Sequence, residues 1–94
     1  MAFGANIRTF FEGRWHDGDV AVMRAADHGI WQGSSVFDGA RWFDGMAPDL
    51  LAHCARANRS AEALMITPTL DAAEMAAIAR EGLRGLGADA AVYV

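Results

Sequence analysis

The stretch GSSVFDGARWF, Gly33 to Phe43, decides how the rest of the chain is read. It has the residue types of a strand, yet it leaves a gap at Gly39 and places charges at Asp38 and Arg41. Side chains alternate between the faces of a strand. Ser35, Phe37, Gly39, Arg41 and Phe43 therefore share one face, and Val36, Asp38, Ala40 and Trp42 share the other. Glycine inside a strand weakens it and often marks a bulge or the close approach of another backbone or a ligand. The pattern alone leaves two readings open. One is an edge strand bulged at Gly39 with a solvated Arg41. The other is a pocket wall, in which Gly39 makes room and Arg41 faces an anion.

Upstream of this stretch, Ile7 to Phe11 reads as a strand and Glu12-Gly13 as a turn, with Arg14-Trp15-His16 starting the return arm of a hairpin. Asp17-Gly18-Asp19 breaks the chain, Val20 to Met23 is a short apolar run, and Ala25 to Gln32 has no clean period and reads as loop. Downstream, Asp44-Gly45 is a turn followed by a short arm at Met46-Ala47, and Pro48-Asp49 suits a helix start. That helix is expected from about Leu50 to Leu64, with Leu50, Cys54, Ala57, Ala61, Leu64 and Met65 on one side. His53, Arg56 and Ser60 fall within about 60° of one another beside this apolar stripe. They are either a solvated flank or donors aimed into a site.

After a loop at Thr67-Pro68-Thr69, Asp71 and Glu74 have the spacing of a capping box. Met75, Ile78, Ala79, Gly82, Leu83 and Leu86 then form the apolar face of a second helix, which Gly85 and Gly87 can end. Ala90 to Val94 reads as a further strand, and its stop on Val94 suggests that the domain is cut before its end. The fold class expected from this order is α+β, an antiparallel sheet with two helices.

The composition narrows the function classes. The chain has 94 residues, is 53% hydrophobic and carries a net charge of −4. That balance disfavours nucleic acid as the main partner, because phosphate backbones demand a basic surface. The high apolar share for so small a domain suggests surface to be covered by a partner subunit or a further domain. A lone cysteine, Cys54, rules out an internal disulfide and suits a reducing compartment. His16, His28 and His53 lie far apart and no CxxC pair occurs, so no metal site emerges. No run has the length of a membrane span or a secretory leader. A cytoplasmic protein with no membrane partner is the expectation. All 8 basic residues are arginine. Nothing in these residues can form a Schiff base through a side-chain amine.

Two blocks carry a resemblance. DHGIWQGSSVFDGARWF, Asp27 to Phe43, is similar to a family pattern that ends YGxxVFEGIR. LLAHCARANRSAEAL, Leu50 to Leu64, is similar to LxxHxxRLxxSAxxL, with Ala57 in place of the leucine after the arginine. In this order and separation they resemble the N-terminal domain of the class IV (fold type IV) pyridoxal-phosphate aminotransferases, most of all the branched-chain amino acid aminotransferases. The resemblance spans nearly all of residues 1–94 but only the first third of such an enzyme.

The resemblance implies a homodimeric transferase that uses pyridoxal 5′-phosphate to move an amino group between a branched-chain amino acid and a 2-oxo acid. It implies that Arg56 binds the cofactor phosphate, a role suited to a planar and permanently charged fork. It further implies that Phe37, Gly39, Arg41 and Tyr93 line the substrate pocket. Gln32 stands where branched-chain enzymes carry a tyrosine, so it joins the substrate-facing candidates and marks a departure. No catalytic residue is expected within the chain, since the family's lysine lies beyond residue 94. D-amino-acid or (R)-amine aminotransferases and aminodeoxychorismate lyases share the fold and remain alternatives. A non-catalytic assembly module is the alternative for a chain that truly ends at Val94.

Overall fold

Two tight turns organise the strands. Glu12 and Gly13 have φ of 52° and 83°, and Asp44 and Gly45 have 49° and 71°. Both central residues are left-handed in each case, as in the hairpin turns whose twist matches that of the flanking strands. In a computed structural model, which describes residues 6–87 and 89–94, the first turn joins β1 (Arg8–Phe11) to β2 (Arg14–Asp17). They pair antiparallel from Arg8↔Asp17 to Phe11↔Arg14. The second turn closes only a single bridge, Phe43↔Met46. The strand before it, β3 (Gly39–Trp42), pairs instead with β4 (Ala90–Tyr93), again antiparallel, from Gly39↔Tyr93 to Trp42↔Ala90. The architecture is α+β, with two two-stranded antiparallel ribbons.

The two long helices form where the apolar spacing predicts them. α2 runs Leu50–Ala63 and buries Leu50, Cys54, Ala57 and Ala61. Asp49 is its N-cap residue, but it sits in the left-handed region and makes no side-chain cap, and Pro48 lies outside the first turn. α3 runs Ala72–Arg84, and its capping box is complete. The Glu74 amide donates to Asp71 Oδ1 at 2.8 Å and the Asp71 amide donates to Glu74 Oε1 at 3.1 Å. Gly85 is the C-cap.

The core lies between these helices and the inner face of β3–β4. Ala40, Ala47, Leu50, Cys54, Ala76 and Ala79 are buried together, with Trp42, Met75, Val92 and Val94 packed against them. It is a core of small side chains, so backbones approach closely. The β1–β2 hairpin is fastened to α3 by Trp15, whose Nε1 donates to the Ile78 carbonyl at 3.1 Å, and by Arg8, whose Nη1 donates to the Gly82 carbonyl at 2.8 Å. Among the described residues, no helix is long and apolar enough to cross a membrane.

Two expectations about local structure are corrected. The Gly33–Phe43 stretch is a strand only from Gly39 to Trp42, the residues that find ladder partners in Ala90–Tyr93, with one further backbone pair between Asp38 and Val94 at its start. Residues 33–38 precede it as irregular chain, turned by Gly33 at φ 67°. The segment read as loop contains a one-turn helix, α1 (His28–Trp31). Asp27 precedes it without capping it, since its carboxylate accepts from the Arg24 amide at 2.7 Å instead. The Trp31 indole N–H donates to the Ala26 carbonyl at 2.9 Å and closes the turn. Aromatic and backbone contacts over a few residues make this turn, and a single turn is too short to show a helical period.

Candidate functional site

The short β3 ribbon has two unlike faces. Ala40 is buried and Trp42 half-buried, whereas Gly39 and Arg41 are exposed. No bulge occurs at Gly39, which pairs directly with Tyr93. The Phe37 ring meets the Tyr93 ring edge-on at 6.3 Å between centroids. Phe37 and Tyr93 are 73% and 62% exposed, so this aromatic pair is open rather than part of the core. Phe37, Gly39, Arg41 and Tyr93 are thus brought to one face, and that face is open. Gln32 is not brought to it by any recorded bond. It is the exposed C-cap of α1, and its amide donates to the His28 carbonyl at 2.9 Å. A cavity of about 540 Å³ includes Tyr93 but none of Gln32, Phe37, Gly39, Arg41 and Arg56. It lies under the β1–β2 hairpin, lined by Trp15, Met75, Ile78 and Leu83.

Gly39 is not demanded by the chain's own packing. A Cβ added there would meet Tyr93 ring atoms at 3.6 Å and 3.8 Å, an ordinary contact. Gly39→Ala is therefore expected to leave the urea midpoint nearly unchanged, with a shift below about 1 kcal/mol. A loss well beyond that would mean the glycine serves the fold.

One residue before Gly39, strand alternation turns Asp38 inward, where it is 6% exposed. Its backbone extends the ribbon by one more pair, with the Asp38 amide donating to the Val94 carbonyl at 2.8 Å and the Val94 amide returning at 2.9 Å. A carboxylate so placed needs partners. The i, i+3 spacing on α2 supplies two. Arg56 Nε donates to Asp38 Oδ2 at 2.5 Å and Nη2 to Oδ1 at 2.9 Å. His53 Nδ1 lies 2.8 Å from Oδ1. With the proton on Nδ1 it donates to the carboxylate, and the 3.3 Å approach of Arg56 Nη2 to the same nitrogen is then proximity rather than a bond.

The hydrogen bond from Arg56 holds the Asp38 carboxyl well below the usual carboxylate range, against the opposing effect of burial and with help from His53. The same bond pushes the Arg56 guanidinium up, so it stays charged at any working pH. Since the folded carboxyl ionises more readily than the unfolded value of about 3.9, the pair stabilises the fold above that value. That contribution drains as pH falls from about 4 through the depressed folded range. In urea titrations repeated between pH about 5 and 2.5, Asp38→Asn is expected to show a shallower acid decline than the parent chain. Parallel acid limbs would contradict the ion pair.

Arg56 keeps room for a second anion. Its side chain is 58% exposed, and Asp38 occupies only the Nε side. Nη1 makes no hydrogen bond among the described residues, and Nη2 has beyond Asp38 only the 3.3 Å approach of His53 Nδ1, so the end of the group presents a fork that matches two phosphate oxygens. The residues present therefore fit a phosphate group. Arg59, exposed on the same helix, makes no recorded hydrogen bond or ion pair among the described residues. Of the polar flank read from the sequence, His53 and Arg56 converge on one buried carboxylate, and Ser60 does not take part. The sequence reading assigned Asp38 no role. A charged residue on the inward face of a strand, followed by HxxR on the next helix, was the signal that could have found it.

No family model matches the chain. Over 78 residues, 83% of this chain, the sequence is 33% identical to a protein of Methanocaldococcus jannaschii named "Putative branched-chain-amino-acid aminotransferase", and the match takes in 27% of that protein. The fold is similar, with a TM-score of 0.84 and 51% identity, to the crystal structure of an aminotransferase from Brucella abortus bound to the co-factor PLP. That alignment covers 92% of this chain and 31% of the other. The chain thus spans less than a third of the length of either relative. In sequence and fold the chain is similar to a segment of each of these aminotransferases, and the class IV fold type is consistent with both matches.

Proposed function

We propose that this segment forms the N-terminal part of a cytoplasmic, homodimeric pyridoxal-phosphate-dependent aminotransferase that moves an amino group between a branched-chain amino acid and a 2-oxo acid. The observation that carries the reading is the 51% identity, across 92% of the chain, to an aminotransferase bound to PLP. The branched-chain substrate rests on the more distant relative.

Arg56 would hold the cofactor phosphate through its open fork, with Asp38 behind it. Phe37, Gly39, Arg41 and Tyr93 would form one wall of the substrate site, with Gln32 on its approach. Gly39 leaves space for the substrate side chain, the two rings give that space an apolar rim, and Arg41 adds positive charge for a carboxylate. When bound, pyridoxal phosphate supplies an electron sink for breaking the donor's Cα–H bond. No residue here can supply the lysine that would attach the cofactor, since the sequence contains none. We assign that role to a further, lysine-bearing domain of a longer polypeptide. The exposed aromatic side chains Trp31, Phe37 and Tyr93 give such a domain or a second subunit something to cover.

The test uses the complete polypeptide, incubated with pyridoxal phosphate, 2-oxoglutarate and a panel of amino donors. The expected result is conversion of branched-chain L-amino acids to their 2-oxo acids. A preference for D-amino acids or (R)-amines would overturn the substrate assignment. Release of pyruvate from aminodeoxychorismate without amino transfer would overturn the reaction. Failure to take up the cofactor at all would favour the non-catalytic assembly module. Within an active enzyme, Gly39→Val is expected to raise the substrate KM several-fold while leaving cofactor retention within about twofold. Equal effects on both would remove Gly39 from the substrate wall.

A further inference from the structure

We propose that Asp38 is a positioning residue for the phosphate site: its buried carboxylate locks the Arg56 guanidinium so that the open fork is held ready for the cofactor phosphate. The inference rests on the functional reading above, and it concerns a buried residue whose carboxylate is bonded to Arg56 and His53. An arginine on an exposed helix face has many rotamers, and ordering it costs entropy that must be met when the anion binds. Here two N–H groups are already committed to Asp38, at 2.5 Å and 2.9 Å. The plane of the guanidinium is thereby fixed before any ligand arrives. The commitment is made on the Nε side, so the fork that suits phosphate is left open.

The position of Asp38 is itself set by the backbone. Its paired bonds to Val94 continue the β3–β4 ladder that places Gly39 opposite Tyr93. The same short ribbon therefore sets both the outward Phe37–Tyr93 face and, through the inward Asp38, the reach of Arg56 from α2. Among the described residues, Asp38 is the side chain that ties Arg56, the proposed phosphate arm, to the strand proposed to face the substrate.

A carboxylate beside an anion-binding arginine could act in the opposite direction, by cancelling its charge. His53 bears on this, because at 2.8 Å it shares the carboxylate's charge and leaves less of it to offset Arg56. The two roles give opposite signs, so one experiment separates them. Dissociation constants for pyridoxal phosphate and for pyridoxal, which lacks the phosphate, are measured on the complete polypeptide for the parent, Asp38→Asn, Asp38→Glu, Arg56→Ala and the Asp38→Asn/Arg56→Ala double variant. Circular dichroism checks that each is folded.

Positioning requires Asp38→Asn to weaken pyridoxal phosphate by roughly tenfold while pyridoxal changes by less than about twofold. The double variant is then no weaker than Arg56→Ala alone, because Asp38 acts only through Arg56. Asp38→Glu, which keeps the charge but shifts it by one methylene, falls between parent and Asp38→Asn. Should Asp38→Asn fail to fold, Asp38→Glu carries the test by itself, with a loss of about threefold or more confined to the phosphorylated ligand. Tighter phosphate binding by Asp38→Asn would mean that Asp38 only quenches charge. Equal losses for both ligands would mean a purely structural role. Either overturns the inference. If Arg56→Ala weakens pyridoxal phosphate and Asp38→Asn does not, the inference falls while the phosphate site stands. If Arg56→Ala has no effect, both fall.

Discussion

Arg56→Ala, made in the complete polypeptide, is expected to release pyridoxal phosphate roughly ten- to a hundredfold more readily than the parent, the scale of a charge-assisted hydrogen bond lost from a phosphate. The size follows from what the fork offers. Its N–H groups are pre-oriented by Asp38, and their charge persists at every working pH. Arg56→Lys is expected to restore only part of the loss, because an ammonium cannot reproduce two parallel bonds. Arg59→Ala provides the control. It removes the same charge from the same helix, three residues on, at an exposed position without a recorded partner among the described residues. Retention there should stay within about twofold of the parent. Dialysis followed by absorbance reads all three. Equal losses from Arg56→Ala and Arg59→Ala would show that net charge alone, rather than this helix face, retains the cofactor.

The second large effect falls on the fold. Gly82 is buried on α3 beneath the hairpin, and a Cβ added there would overlap the indole ring of Trp15. The ring is not a loose end that can swing away. Its Nε1 is bonded to the Ile78 carbonyl, the Phe10 ring meets it edge-on at 5.4 Å, and the Arg8 guanidinium lies 5.5 Å from its centroid. Gly82→Ala would thus push the hairpin off α3, in spite of alanine's better helix propensity, which is worth about 1 kcal/mol. The overlap is expected to win, with a net destabilisation of about 1–3 kcal/mol in urea unfolding. Adding Trp15→Leu to Gly82→Ala should recover part of it by emptying the space that the new methyl needs. A Gly82→Ala chain as stable as the parent would show that the hairpin is not packed as described.

How far the sequence could be read depended on the range of the forces involved. The capping box at Asp71 and Glu74 and the span of α2 are local, decided by residues within a turn or two of each other, and both were legible. The outward Gly39 and Arg41 and inward Ala40 followed from strand alternation alone. The length of β3 did not, because it is set by partners about half the chain away, which pair with its four residues and, through Val94, with Asp38. α1 escaped because four residues cannot display a helical period, and its closing bond is an indole N–H to a carbonyl.

The site divided in the same way. The resemblance pointed to Arg56, and helical spacing set it beside His53, but the buried partner that joins them comes from another element. Asp38 was counted on the right face of the strand, yet its role depended on α2 lying across that face, which is a tertiary fact. The openness of the Phe37–Tyr93 face was not legible either, since a pocket wall and a bare surface have the same alternation.

Arg56, held by Asp38, is the residue proposed to carry the phosphate of the cofactor. The most direct measurement is a crystal structure of the complete polypeptide with pyridoxal phosphate bound. The expected structure has the phosphate within hydrogen-bond distance of the Nη1–Nη2 fork of Arg56, with both Arg56–Asp38 bonds intact and the Phe37–Tyr93 face turned toward the bound ligand. A phosphate seated elsewhere, with Arg56 paired only to Asp38, would contradict it.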